Sequence, residues 1–216
     1  MQSPSLPTVS SVPANLSSLE ETREETTLAR ASSPAVPRNR YVVFFSLAIV
    51  GCAIDLLTKH WVFRALGMPG QTEVYWLIEG YFGFQTATNP GALFGMGGAA
   101  QLSWLFALLS VVAALAIPYW LFYHGAASDL VLTIALGSVM GGVFGNLYDR
   151  LGLWSAPGAE GARICEVRDW ILCCYGSYTW PNFNIADCLL VCGAALLMWR
   201  AFFTTTPERE APPSKV

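Results

Sequence analysis

Phe183-Asn184-Ile185-Ala186-Asp187, running directly into the apolar stretch Cys188 to Phe203, is the segment on which the reading of this chain turns. It sets a carboxylate at the mouth of a hydrophobic run. A bilayer cannot solvate an ionised group, so an acid placed there marks function by default. A plainer role is open to the same residues: Asn184 could cap a helix starting here, and Asp187 would suit its N-terminus electrostatically. A second acid, Asp169, stands 18 positions upstream in the apolar segment Val167-Arg168-Asp169-Trp170-Ile171-Leu172. Two carboxylates brought together at a membrane edge suggest acid/base hydrolysis.

The rest of the chain has the composition of an integral membrane protein. Of its 216 residues 54% are hydrophobic and only 12% charged, where a soluble domain carries about 25% charge. A net charge of -3 leaves no basic footprint for nucleic acid. Four apolar runs stand out: Tyr41–Leu57, Ala99–Tyr123, Leu130–Tyr148 and Cys188–Phe203. A spanning helix needs about 20 such residues, so the first and last runs must extend into their flanks. The expectation is four transmembrane helices.

Arg30, Arg38 and Arg40 precede the first run, while Arg200, Arg209 and Lys215 lie at or beyond the end of the fourth. The positive-inside bias puts both termini in the cytoplasm, with the turn His124–Asp129 inside and long loops over about 59–98 and 150–186 outside. Residues 1–40, rich in Ser, Pro, Thr and Glu, read as a disordered cytoplasmic extension. Residues 41–203 form the membrane domain and 204–216 a cytoplasmic tail. The first helix is retained, because no small-x-small cleavage site follows it.

Polar residues collect where the helices meet the outer face. Asp55 and Lys59 are four apart on one helical face, an i,i+4 pair. Asn89-Pro90-Gly91 reads as a turn leading toward helix two. Asn146, Asp149 and Arg150 end helix three, Asp149 and Arg150 as an interfacial ion pair. Gly137, Gly141 and Gly145 recur at the spacing that lets membrane helices approach closely. Cys52, Cys188 and Cys192 sit in apolar helices as small hydrophobes. Cys165, Cys173 and Cys174 share the second outer loop, where a bridge from Cys165 to Cys173 or Cys174 is possible. No spacing suits a metal.

Taken together these motifs resemble those of the bacterial lipoprotein signal peptidases (signal peptidase II), over about Tyr41 to Phe203. They are Asp55-Leu56-Leu57-Thr58-Lys59, Asn89-Pro90-Gly91-Ala92-Leu93-Phe94, Gly141 through Arg150, Val167-Arg168-Asp169-Trp170 and Phe183 through Asp187. Each is weak alone; five in the family's order is a strong signal. The resemblance implies an all-α membrane protein, four transmembrane helices with a small extracytoplasmic β-cradle and a short amphipathic element between helices one and two. The aromatic and β-branched stretch Glu73 to Gln85 suits the cradle.

The resemblance also implies an aspartyl protease of the bacterial inner membrane with its active site near the outer face. Asp169 and Asp187 would be catalytic. Asp55, Lys59, Asn89, Gly142, Asn146, Asp149, Arg150, Asn184 and Ala186 would shape the site or hold the substrate. That substrate is a prolipoprotein whose cysteine already carries diacylglycerol, cut just before the cysteine, with membrane lipid around it and no cofactor required. The sequence assigns no oligomeric state. Two features depart from the family pattern: the connection from Arg150 to Asp169 is longer, and Trp170 stands where Phe is usual. The rival readings are a small proton-coupled transporter, in which Asp55, Asp149 and Asp187 relay protons, and a non-catalytic assembly protein.

Overall fold

A computed structural model of the protein describes residues 22–23, 35–91, 103–158 and 161–203. The chain divides into a unit over Met1–Ala35 and a body over Val36–Val216; the architecture below is that of the body. The extension and tail expected over 1–40 and 204–216 fall almost wholly outside the described residues, as do Ala92, Leu93 and Phe94.

Four helices are long and apolar enough to cross a membrane. They are α1 (Arg38–Leu66), α2 (Ser103–Pro118, carried on by a wider turn over Tyr119–Tyr123), α3 (Leu130–Arg150) and α4 (Ile185–Phe203). Helix α1 has 29 residues and runs well past the apolar stretch that announces it. Its polar residues do not stop it, because Asp55 and Lys59 are buried against other elements and paired. Helix α3 is the hub, packing against each of the other three. Two thirds of its apolar window is buried (67%), against 6% for α2. Outward residues such as Ile49, Leu115 and Val191 are exposed, as bilayer-facing side chains must be.

Glycine sets the closeness of the α3 contacts. A β-carbon on Gly137 would meet Leu47 Cβ and Phe44 O at 3.2 Å, and one on Gly141 would meet Leu47 O at 3.2 Å. Farther along, Gly145 abuts the Asp55 carboxylate and Gly142 the Ala186 carbonyl. The packing role expected of the ladder holds, and at its outer end the ladder also admits polar groups to the helix interface.

The segments between helices build one antiparallel sheet, ordered β1 (Tyr75–Ile78), β2 (Phe82–Asn89), β3 (Val167–Tyr175), β4 (Tyr178–Phe183). The stretch expected to build the cradle supplies β1 and most of β2. The second outer loop, read as a loop from its sequence, supplies the other half of the sheet. Between α1 and α2 the described residues form these two strands and their turns, and no amphipathic helix among them. All six cysteines are free thiols, so the bridge from Cys165 is not made.

Two apolar clusters bracket a polar layer. One gathers Phe44, Ala48, Leu121, Leu132, Leu136, Met140 and Val143 inside the bundle. The other gathers Phe63, Trp154, Trp170 and Ile171 where helices meet sheet. On α3, Val143 belongs to the first and Tyr148 packs on the second; Asn146 lies between them and Asp149 follows Tyr148.

Candidate active site

Asp55, Lys59, Asn146, Asp149, Arg168, Asp169 and Asn184, seven buried polar or charged side chains, give this layer its character, and the first two pair in a line with Asp149 and Arg168. Asp55 and Lys59 on α1 are both fully buried and 2.7 Å apart. Lys59 Nζ also reaches Asp149 Oδ2 of α3 at 3.2 Å, and Asp149 Oδ1 pairs with Arg168 Nη2 of β3 at 2.7 Å. Acid and base alternate, so the charges cancel along this line. A buried charge without such a partner costs several kcal/mol by typical estimates. The i,i+4 pair expected at Asp55 and Lys59 exists, but it is one link in a chain across three elements. The expected Asp149–Arg150 pair does not form: Lys59 and Arg168 are the ion-pair partners of Asp149. Arg150 instead lies over the Phe106 ring, its guanidinium carbon 5.4 Å from the centroid.

From this line hydrogen bonds rise to the two acids first singled out. Lys59 Nζ donates to Asn146 Oδ1 at 2.9 Å, and Asn146 Nδ2 donates to Asp187 Oδ1 at 2.9 Å. Asn184 completes the layer. Its Oδ1 accepts the backbone N–H of Asp187 at 3.0 Å, and Asp187 Oδ2 accepts the backbone N–H of Asn184 at 3.1 Å. That reciprocal arrangement is a capping box with aspartate at its third position. The cap expected of Asn184 and Asp187 is therefore present, and the same two residues stand in the polar layer. The cap fixes the Asp187 rotamer, while the remaining amide of Asn184 stays free for other work.

That amide reaches Asp169. Asn184 Nδ2 donates to Asp169 Oδ1 at 2.6 Å and to Asn146 Oδ1 at 3.1 Å. One asparagine thus touches both carboxylates, and the sheet carries Asp169 to it. Asp169 stands opposite Ala87 in the β2–β3 register and is buried. Its carboxyl is pushed up to about 7, first by burial and next by the neighbouring charge of Asp187. Hydrogen bonds from Asn184 and from Asn89 act the other way. Asn89 ends β2, and its Oδ1 accepts the N–H of Gly91, whose φ of 95° is a conformation that favours glycine.

Ala186 and Gly142 complete the set. The N–H of Ala186 donates to Asp55 Oδ1 at 2.9 Å, which ties the start of α4 to α1. Gly142 leaves room for the Ala186 carbonyl. Of the eleven residues drawn from the sequence, all but Arg150 interlock through direct contacts or hydrogen bonds at this one level, and Arg150 stays within electrostatic reach of Asp149, Asp169 and Asp187.

Two participants escape a reading of the sequence. Arg168 is nearly buried and donates to Asp149 through Nε (3.1 Å), Nη2 (2.7 Å) and its backbone N–H (3.0 Å). Trp154, in the long connection after α3, lies against its guanidinium, 4.9 Å from ring centroid to Cζ. A cation inside an apolar segment is the signal that could have drawn attention to Arg168. Nothing in the local sequence distinguishes Trp154.

The chain matches known proteins over this same body. The family model described as Signal peptidase (SPase) II matches residues 47–203. A lipoprotein signal peptidase of Rhodopirellula baltica is 53% identical over 169 residues, covering 78% of this chain and 75% of that protein. One from Pseudomonas putida is 34% identical, covering 82% of this chain and 96% of its own. Among solved structures, a bacterial membrane enzyme determined by the in meso method at 2.3 Å shares the fold with a TM-score of 0.62 at 22% identity, over 78% of this chain and 93% of that one. With the family model covering both acids, the asparagine between them, most of α1 and the whole of the other three spanning helices, the chain belongs to the signal peptidase II family of membrane proteases.

Proposed function

We propose that this protein is an aspartic endopeptidase that removes signal peptides from diacylglyceryl-modified prolipoproteins, cutting just before the lipidated cysteine. The observation that carries the reading is the link through Asn184: one asparagine spans two carboxylates at the mouth of a membrane helix, its side-chain amide donating to Asp169 and its backbone N–H to Asp187. The relatives' names, lipoprotein signal peptidase, supply the substrate class.

Asp169 and Asp187 act as a pair that shares one proton near neutral pH, since neighbouring carboxylates do not both ionise cheaply. Asp169, pushed up to about 7, is the carboxyl suited to carry that proton. Asp187 takes a proton from a water molecule as the water oxygen bonds to the scissile carbonyl carbon. Asp169 meanwhile donates its proton to the carbonyl oxygen. Collapse of the tetrahedral intermediate breaks the C–N bond, and the amine of the cysteine leaves with the proton held by Asp187. The intermediate's hydroxyl proton returns to Asp169 and restores the starting state. No covalent enzyme intermediate forms. Asn146 and Asn184 hold the carboxylates, and the line Asp55–Lys59–Asp149–Arg168 holds the asparagines. The lipid chains lie between helices, in the bilayer.

The same reading sets the protein in a bacterial inner membrane with both termini cytoplasmic. Arg38 and Arg40 begin α1 and Arg200 lies near the end of α4, while the dyad sits at the opposite ends of both helices. Purified protein, given a precursor with and without diacylglycerol on its cysteine, tests the proposal. It should release a signal peptide ending one residue before the cysteine from the lipidated form alone. Cleavage at another bond, or equal cleavage of both forms, would overturn it.

A further inference from the structure

The connection from Arg150 to Asp169 is longer than the resemblance leads one to expect, and the mechanism above leaves its residues before β3 unused. Its described residues make specific contacts. Trp154 packs edge-on against Phe63 of α1 (5.7 Å between centroids) and offers its ring to the Arg168 guanidinium at 4.9 Å. The indole N–H donates to Glu166 O at 3.0 Å, closing the connection on itself. Ser103, at the start of α2, donates its hydroxyl to Cys165 O at 2.9 Å. The loop is thus pinned to α1, α2 and the first residues of β3.

Arg168 is where these ties converge. Three of its N–H groups fasten onto Asp149, and the next residue along the strand is Asp169. Trp154 shields the Arg168–Asp149 pair from water, which strengthens the pair and keeps the guanidinium in one orientation. We propose that Trp154 and Arg168 form a strut, built from the long connection, that positions Asp169 for the hydrolysis proposed above. The inference rests on that reading for its chemistry, but the geometry it describes can be measured without turnover. Neither residue touches the reacting atoms; both act through the placement of β3.

Trp154→Ala, Trp154→Phe and Arg168→Lys test it. In Trp154→Ala, kcat should fall on the order of tenfold with KM held within about twofold, because misplacing a catalytic group weakens the chemical step before it weakens binding. The alkaline limb of the rate profile should move to lower pH, since an Asp169 that sits less deeply loses its proton sooner. Trp154→Phe, which keeps a ring face, should recover most of the loss. Arg168→Lys keeps the charge but cannot fork onto Asp149 or present a flat face, so it should behave like Trp154→Ala.

Independently of turnover, the side-chain carboxyl carbon of Asp169, followed by 13C NMR, should titrate at lower pH in both Trp154→Ala and Arg168→Lys. A purely structural role for the tryptophan would lower Tm and leave that titration in place. Should Trp154→Ala not fold, Arg168→Lys decides. An Asp169 titration matching wild type in a folded variant would overturn the strut. If wild-type protein cut no precursor, the proposed function would fail, and the NMR titration would still decide whether the strut holds Asp169.

Discussion

Asp169 is buried with its carboxyl pushed up to about 7, and this has a cost as well as a use. A carboxyl whose folded value is raised contributes stability fully present below the unfolded value, about 3.9, and lost as pH rises through the folded one. Asparagine mimics the protonated acid and does not titrate. Asp169→Asn should therefore abolish cleavage, by at least about 10²-fold for loss of an acid/base group, and yet raise Tm relative to wild type. That gain should be larger at pH 8 than at pH 5, as thermal unfolding at the two values would reveal. Wild-type cleavage should itself decline as pH climbs through about 7, where the shared proton is lost. Both acids were legible in the sequence because each interrupts or borders an apolar run. Arg168, sitting beside one of them, was not, since a basic residue in an outer loop ordinarily reads as solvated. Its partner Asp149 lies 19 positions away on another element, and no local pattern announces that pairing.

At the level of elements, α3 and its glycines decide how near the other helices come. Gly142 is among the tightest positions on α3, with the Ala186 carbonyl against it and Leu190 Cγ at 2.8 Å from where a β-carbon would stand. Gly142→Ala should push α4 outward, cost about 1–3 kcal/mol as overpacking typically does, and lower cleavage because Asp187 moves with its helix. Gly137→Ala meets its neighbours at 3.2 Å and lies away from the polar layer, so its effect on cleavage should be the smaller. Paired thermal unfolding and cleavage assays on the two variants would show the difference. The four helices were plain from composition, and so was the spacing of the glycines. Strands β3 and β4 were not, because Val167 to Leu172 is buried on both faces and shows no alternation of polar and apolar residues. Nor was the length of α1, whose Lys59 is made compatible with a helix interior only by Asp55 and Asp149.

Across the whole molecule, the line Asp55–Lys59–Asp149–Arg168 joins α1, α3 and β3, and hydrogen bonds from it reach α4. The site is therefore a property of the assembled bundle and sheet. Asp149→Asn would deprive Arg168 of its ion-pair partner among the described residues. Breaking a buried pair in this way costs about 3–5 kcal/mol, and a Tm lowered accordingly, with cleavage lost, is the expected result. The chain's order of motifs foretold which residues gather, but not that Asn184 would both cap α4 and bridge the two acids. That double use depends on a strand arriving from elsewhere in the fold.

Whether Asp169 and Asp187 together hydrolyse the bond before a lipidated cysteine is decided by one assay. Wild type, Asp169→Asn and Asp187→Asn, each purified and shown to be folded, are given the same diacylglyceryl-modified precursor, and the released peptide is weighed. Wild type should cleave before the cysteine, and neither variant should cleave above background. Near-wild-type turnover by either folded variant would contradict that joint role.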